Sequence, residues 1–156
     1  MYAAPTAALD PDRPAVIMAH TGEVLRYGEL DARSNQLAQL LRAEGLGFRD
    51  HYAIFMENHL RFIEACGGGD RSGLYYTCIN AFLKSEELAY ILDNCEARLL
   101  ITSVEKLPVA LAALHPRAQL VHAVDALGGD EVRHAVALGV GARALELADR
   151  GLGVLP

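Results

Sequence analysis

The sequence predicts an α/β domain with a mainly parallel sheet and flanking helices. Three observations carry that reading. Along residues 12–125, strand-length apolar runs alternate with helical periods over short links, the order that favours parallel pairing through crossover helices. Tyr52-Ala53-Ile54-Phe55-Met56 is apolar without alternation, as a strand covered on both faces must be. A chain of 156 residues is long enough for one domain. At that size a fold buries about 68–70% of its unfolded surface and needs no disulfides.

The elements follow in order. Ala15-Val16-Ile17-Met18 and Val24-Leu25, joined at Thr21-Gly22-Glu23, read as a β-hairpin. Gly28 to Glu44 is a helix whose Leu30, Leu37, Ala38 and Leu41 share a face, and Gly45 supplies its stop. After the Tyr52–Met56 strand, a helix capped by Asn58 carries Leu60, Phe62 and Ile63. Gly67-Gly68-Gly69 should end or weaken it near Cys66, because three glycines cost a helix about 3 kcal/mol relative to alanines. Leu74 to Ile79 is a strand. Ser85 then caps a helix with Glu86 and Glu87 in its first turn, and Leu88, Ile91, Leu92 and Cys95 form its apolar face. Arg98 to Thr102 is a strand ending in Ser103, Pro108 starts a short helix, and Gln119 to Val124 is the last strand. Residues 126–156 form an Ala/Gly-rich tail with six glycines and no aromatic residue, in which Val132 to Ala148 has a broken helical pattern. All ten aromatic residues lie between Tyr2 and Tyr90.

Composition narrows the function. A net charge of −6, with twelve scattered arginines and two lysines (Lys84, Lys106), gives no basic patch for nucleic acid. No run reaches the ~18–20 apolar residues of a membrane span. Met1 to Asp10 has no basic segment, so a secretory signal is not expected and the location is read as cytoplasmic. Cys66, Cys78 and Cys95, odd in number and without a CxxC pair, read as small buried hydrophobes in a reducing compartment.

The sequence carries no complete chemistry-bearing motif. Gly67 to Gly73 is glycine-rich, but Arg71 stands before Ser72 where a phosphate loop needs a lysine, and the spacing is wrong. Gly139-Val140-Gly141-Ala142-Arg143-Ala144 lacks the strand and the acid of a dinucleotide fingerprint. The histidines (His20, His51, His59, His115, His122, His134) form no metal-binding spacing, and Ser34, Ser72, Ser85 and Ser103 have no nucleophile-elbow context.

Taken together, certain stretches resemble the opening of adenylate-forming enzymes, and within them the AMP-forming fatty-acyl-CoA ligases. They are Pro14-Ala15-Val16-Ile17, Thr21 to Leu30, Ser34 to Ala38, Asp50 to Asn58, Arg71 to Thr77 and Glu87 to Leu92. The likeness covers residues 12–125, a partial N-terminal domain of that fold. It departs at Gly67 to Asp70, where an Ala-rich or Trp-containing helix is usual, and at Arg49-Asp50, where Gly-Asp is common.

The resemblance implies ATP, Mg²⁺ and CoA as the family's reactants. It also implies a carboxylic-acid substrate, provided the enzyme is complete. The family's phosphate loop, aromatic-Thr-Glu segment, ribose-binding Asp and catalytic Lys have no counterpart in this sequence. No catalytic, cofactor-binding or metal residue is therefore assigned, and no cofactor is expected for the chain alone. The resulting expectation is a truncated N-terminal fragment of a fatty-acyl-CoA ligase, inactive alone. The alternative is a stand-alone α/β interaction module whose protein partner completes the sheet, since an incomplete sheet exposes an edge and an apolar face.

Overall fold

The computed structural model describes residues 3–113, 121–124 and 134–137, the last two stretches as backbone. In chain order the elements are α1 (Ala4–Leu9), β1 (Pro14–Ile17), β2 (Val24–Arg26), α2 (Tyr27–Ala43), β3 (His51–Phe55), α3 (Leu60–Ser72), β4 (Tyr75–Ile79), α4 (Ser85–Asn94), β5 (Leu99–Ser103), α5 (Leu107–Ala113), β6 (Val121–Val124) and β7 (His134–Ala137). They divide into two compact units, residues 1–50 with 58–76 and residues 51–57 with 77–156.

In the first unit, β1 and β2 form the expected antiparallel hairpin, with Ile17 opposite Val24 and Val16 opposite Leu25. Gly22 holds the turn with φ 72°, a left-handed backbone that costs glycine nothing. Leu25 is buried with Leu30 and Leu60 in the core of this unit. The helix α2 begins where the Glu29 carboxylate accepts the Arg26 amide at 2.9 Å. Its buried residues are Leu30, Ser34, Ala38 and Leu41, one face at intervals of three and four. Gly45, at φ 82°, ends it as expected. The short helix α1, with Pro5 in its first turn, has no counterpart in the sequence reading.

The helix α3 differs from expectation. It is capped by His59, whose Nδ1 accepts the Arg61 amide at 3.1 Å, rather than by Asn58. It also runs through Gly67-Gly68-Gly69 to Ser72 and ends at Gly73, φ 65°. The reason is packing against α2. A methyl built on Gly68 would lie 2.8 Å from Leu37 Cγ, and one built on Gly67 would overlap the Ser34 hydroxyl. The glycines thus let two helices approach where side chains would hold them apart, which offsets their poor propensity. Glu64, buried beside them, receives Arg33 Nη1 at 3.0 Å and Arg61 Nη1 at 2.9 Å, and Arg71 pairs with Asp31.

In the second unit the sheet has the order β4-β3-β5-β6-β7. β3 pairs parallel with β5 (Tyr52 opposite Leu99, Phe55 opposite Thr102), and β5 pairs parallel with β6. β6 pairs antiparallel with β7, Val121 opposite Ala137. The mainly parallel sheet is therefore confirmed. The tail contributes a strand at His134–Ala137 where the sequence pattern is helical, and the remainder of Val132 to Ala148 lies outside the described residues. β5 is buried at every position and β3 from Tyr52 onward, as strands covered on both faces require.

Ala53, Phe55, Ile79, Leu88, Leu92, Leu100, Ala110 and Ala113 make the core of this unit. Ser85 is the first helical residue of α4 rather than its cap. The start is fixed instead by Glu87, which accepts the Lys84 amide at 2.9 Å. The three cysteines are less buried than expected. Cys66 and Cys95 are half-buried but Cys78 is exposed, because it falls on an outward position of β4.

Candidate functional site

In open α/β sheets, ligands are met at the carboxyl ends of the strands, where the strand order reverses. Here the chain passes from β3 to β4 on one side and from β5 to β6 on the other, so the reversal lies between β3 and β5. The residues at that edge are Glu57, just after β3, and Thr102, Ser103 and Lys106 at and beyond the end of β5.

Parallel register brings these residues together. With Phe55 opposite Thr102, the Thr102 hydroxyl donates to the Phe55 carbonyl at 2.6 Å in a fully buried position. One residue on, Ser103 Oγ donates to Glu57 Oε2 at 2.6 Å and accepts the Lys106 amide at 3.2 Å. The carboxylate and the β5–α5 connection are thereby tied to each other. The Lys106 ammonium sits 2.9 Å from Glu105 Oε1 and 6.0 Å from the centre of the Phe82 ring, which is 91% exposed. Asn80 Oδ1 accepts the Phe82 amide at 3.0 Å and shapes the turn that presents the ring.

Among the described residues the edge therefore offers two carboxylates, Glu57 with the Ser103 hydroxyl committed to it and Glu105 paired with the Lys106 ammonium, and an open aromatic face beside that ammonium. Ser103 has a carboxylate and not an imidazole as its partner, so this is no activated nucleophile. The arrangement can hold a loop and meet a ligand, and it contains no acid–base pair poised for chemistry.

The other candidates fall apart in space. Gly67 to Gly73 is helix and helix cap rather than a loop. Gly139 to Ala144 and His115 lie outside the described residues. His59 is a helix cap, His51 opens β3, and His122 and His134 lie on β6 and β7. Among the described residues no three His, Cys, Asp or Glu side chains come together as metal ligands. Ser34 is buried against α3, and Ser72 donates to the Gly68 carbonyl at 2.8 Å.

The Glu57–Ser103 contact was not legible in sequence. The two residues stand 46 apart, and only the β3–β5 register makes them neighbours.

Comparison with known proteins adds the context. The AMP-binding enzyme family matches residues 4–145. A long-chain-fatty-acid--CoA ligase of Thermus thermophilus is 36% identical over 108 residues, covering 68% of this chain and 20% of that protein. Human long-chain fatty acid transport protein 1 is 36% identical over 91 residues, 58% of this chain and 14% of its own length. Among solved structures, the N-terminal domain of FACL13 from Mycobacterium tuberculosis superposes with a TM-score of 0.70 at 24% identity, covering 80% of this chain and 32% of that one. That likeness concerns the fold. The chain spans a fifth or less of the two curated relatives just described. No helix among the described residues is long and apolar enough to cross a membrane.

Proposed function

The chain belongs to the AMP-binding enzyme family, and from that premise we propose that it is the N-terminal part of an AMP-forming fatty-acyl-CoA ligase. In such a reaction a carboxylate oxygen attacks the α-phosphorus of ATP and diphosphate leaves. The CoA sulfur then attacks the acyl carbon, and AMP leaves. The observation that carries the reading is the family match over residues 4–145, on an α/β fold with a mainly parallel sheet. A fatty acid is the proposed substrate class, supported by the names of the Thermus and human relatives.

The residues 1–156 on their own are proposed to be inactive. Positioning and phosphate electrostatics supply most of the barrier reduction in phosphoryl chemistry. Among the described residues, the edge formed by Glu57, Ser103 and Lys106 offers one ammonium, itself paired with Glu105, and no cradle of backbone amides for a triphosphate. Mg²⁺, ATP and CoA would then be held chiefly by parts of the family's chain that this sequence does not contain. A cytoplasmic location goes with this reading.

A second reading, an interaction module whose partner completes the enzyme, is favoured by the exposed rings of Phe82 at 91% and Tyr90 at 71% in the second unit. Each reading has its own test. The matching segment of the Thermus ligase is replaced by residues 4–145 of this chain, and ATP–diphosphate exchange is measured with long-chain acids. Exchange retained by the chimaera supports the assignment. A folded chimaera without exchange overturns it. Co-purification of the intact chain from its native cell with a protein carrying the family's phosphate loop supports the module reading, and a monodisperse monomer contradicts it.

A further inference from the structure

We propose that the second half of α3, residues 67–72, is a conditional helix. It stays helical while Ser34 and Leu37 of α2 are seated on its glycines, and it opens ahead of residues 60–66 when that seat loosens.

The two halves of α3 are held in different ways. The first half is anchored by side chains, one of them Arg33 of α2, and does not depend on contacts to glycine. His59 caps it, Leu60 and Ala65 are buried, and the Glu64 carboxylate receives both Arg33 and Arg61. The second half begins with Gly67, Gly68 and Gly69, all buried. Such a run is about a hundredfold easier to open than an alanine run, taking about 1 kcal/mol per glycine and 1.4 kcal/mol per factor of ten. What compensates is contact from α2, where Leu37 lies against Gly68 and Ser34 against Gly67, with the Arg71–Asp31 ion pair beyond.

The consequence reaches past the helix. The amides of Gly73 and Leu74 both donate to the Gly69 carbonyl, and the Gly73 carbonyl accepts the Arg49 amide at 2.9 Å. The Asp50 carbonyl in turn accepts the Tyr75 amide at 3.0 Å. Opening of residues 67–72 therefore frees the turn that leads into β4. The seating of α2 is coupled to the start of that strand through a helix built to be weak in its middle.

Native-state amide hydrogen exchange of the intact chain tests this. Asp70, Arg71 and Ser72 are expected to exchange at least about tenfold faster than Glu64, Ala65 and Cys66, as separate opening units do. Leu37→Ala is expected to speed the first group by about a further tenfold and to leave the second within about twofold. Equal rates in the two halves, or an equal acceleration of both by Leu37→Ala, would make α3 one cooperative helix and end the proposal. If the Leu37 variant does not fold, the wild-type profile alone decides.

Discussion

The Arg49 amide donates to the Gly73 carbonyl at 2.9 Å, and both residues hold left-handed backbone, at φ 69° and 65°. Only one of them is glycine. Arg49 carries a strain of about 1–2 kcal/mol that a side chain incurs there. Its guanidinium lies 5.2 Å from the Phe48 ring centre, a contact that offsets about 0.5–1 kcal/mol at an exposed site. At Gly73 a methyl would fall 2.7 Å from Phe48 Cδ2 in addition to the backbone cost. Arg49→Gly should therefore leave stability within about 1 kcal/mol of the parent, since glycine's entropy offsets the relieved strain. Gly73→Ala should lower it by about 1–3 kcal/mol. Urea denaturation of both variants checks the order, and a larger loss at Arg49 would contradict it.

Ser34 and Gly67 make a second pair. The Ser34 hydroxyl is buried and has no hydrogen-bond partner among the described residues. Ser34→Ala should be neutral or stabilise by up to about 1 kcal/mol, because the orphaned group is removed rather than its partner. Gly67→Ala should cost about 1–2 kcal/mol, overpacking of the interface outweighing the gain in propensity. In the double variant part of that loss should return. A double-mutant cycle with no coupling would show that α2 and α3 do not meet as described.

Glu64 is the third case. Its side chain is 6% exposed and holds two guanidiniums, Arg33 at 27% and Arg61 at 13% exposure. Glu64→Gln keeps the shape and leaves both charges facing a neutral amide. We expect a loss of about 2–3 kcal/mol, below the full cost of breaking a buried pair because Arg33 reaches solvent. Arg33→Ala should cost about 1 kcal/mol, since Arg61 still neutralises the carboxylate. Thermal unfolding of the two variants distinguishes them, and a larger effect at Arg33 would contradict the arrangement.

At the carboxyl edge, Thr102→Val should cost about 1–2 kcal/mol by leaving the buried Phe55 carbonyl without its hydroxyl donor. Ser103→Ala should cost about 1 kcal/mol and free the Glu57 carboxylate and the Lys106 amide. Faster amide exchange at Lys106 in Ser103→Ala, with Leu100 unchanged, is the specific signature. Unchanged exchange at Lys106 would mean that the bond does not hold the loop.

The elements with one strong local cause were legible in the sequence: the hairpin at Gly22, the helix ending at Gly45, the two-faced strand at Tyr52–Phe55, and the β5 run. Tertiary contact explains most of the misreadings, and local bonds over two or three residues explain the two helix starts. Gly67-Gly68-Gly69 argues against a helix until Leu37 and Ser34 are placed against it. Asn58 and Ser85 are good caps by type, yet His59 takes one helix start and Glu87 fixes the other. The strand at His134–Ala137 exists by pairing with β6, which its Ala-rich sequence does not announce. The carboxyl edge was invisible for the same reason, since Glu57 and Ser103 meet only through register. The resemblance to adenylate-forming enzymes carried further than local pattern did, and the family match over residues 4–145 confirms it.

We propose that this chain provides scaffold and not the chemistry of acid activation. The direct measurement is release of AMP by the purified chain with ATP, Mg²⁺, CoA and fatty acids of graded length. The account predicts no AMP above the protein-free blank at any chain length. Acid-dependent AMP release over many turnovers by the purified chain would contradict it.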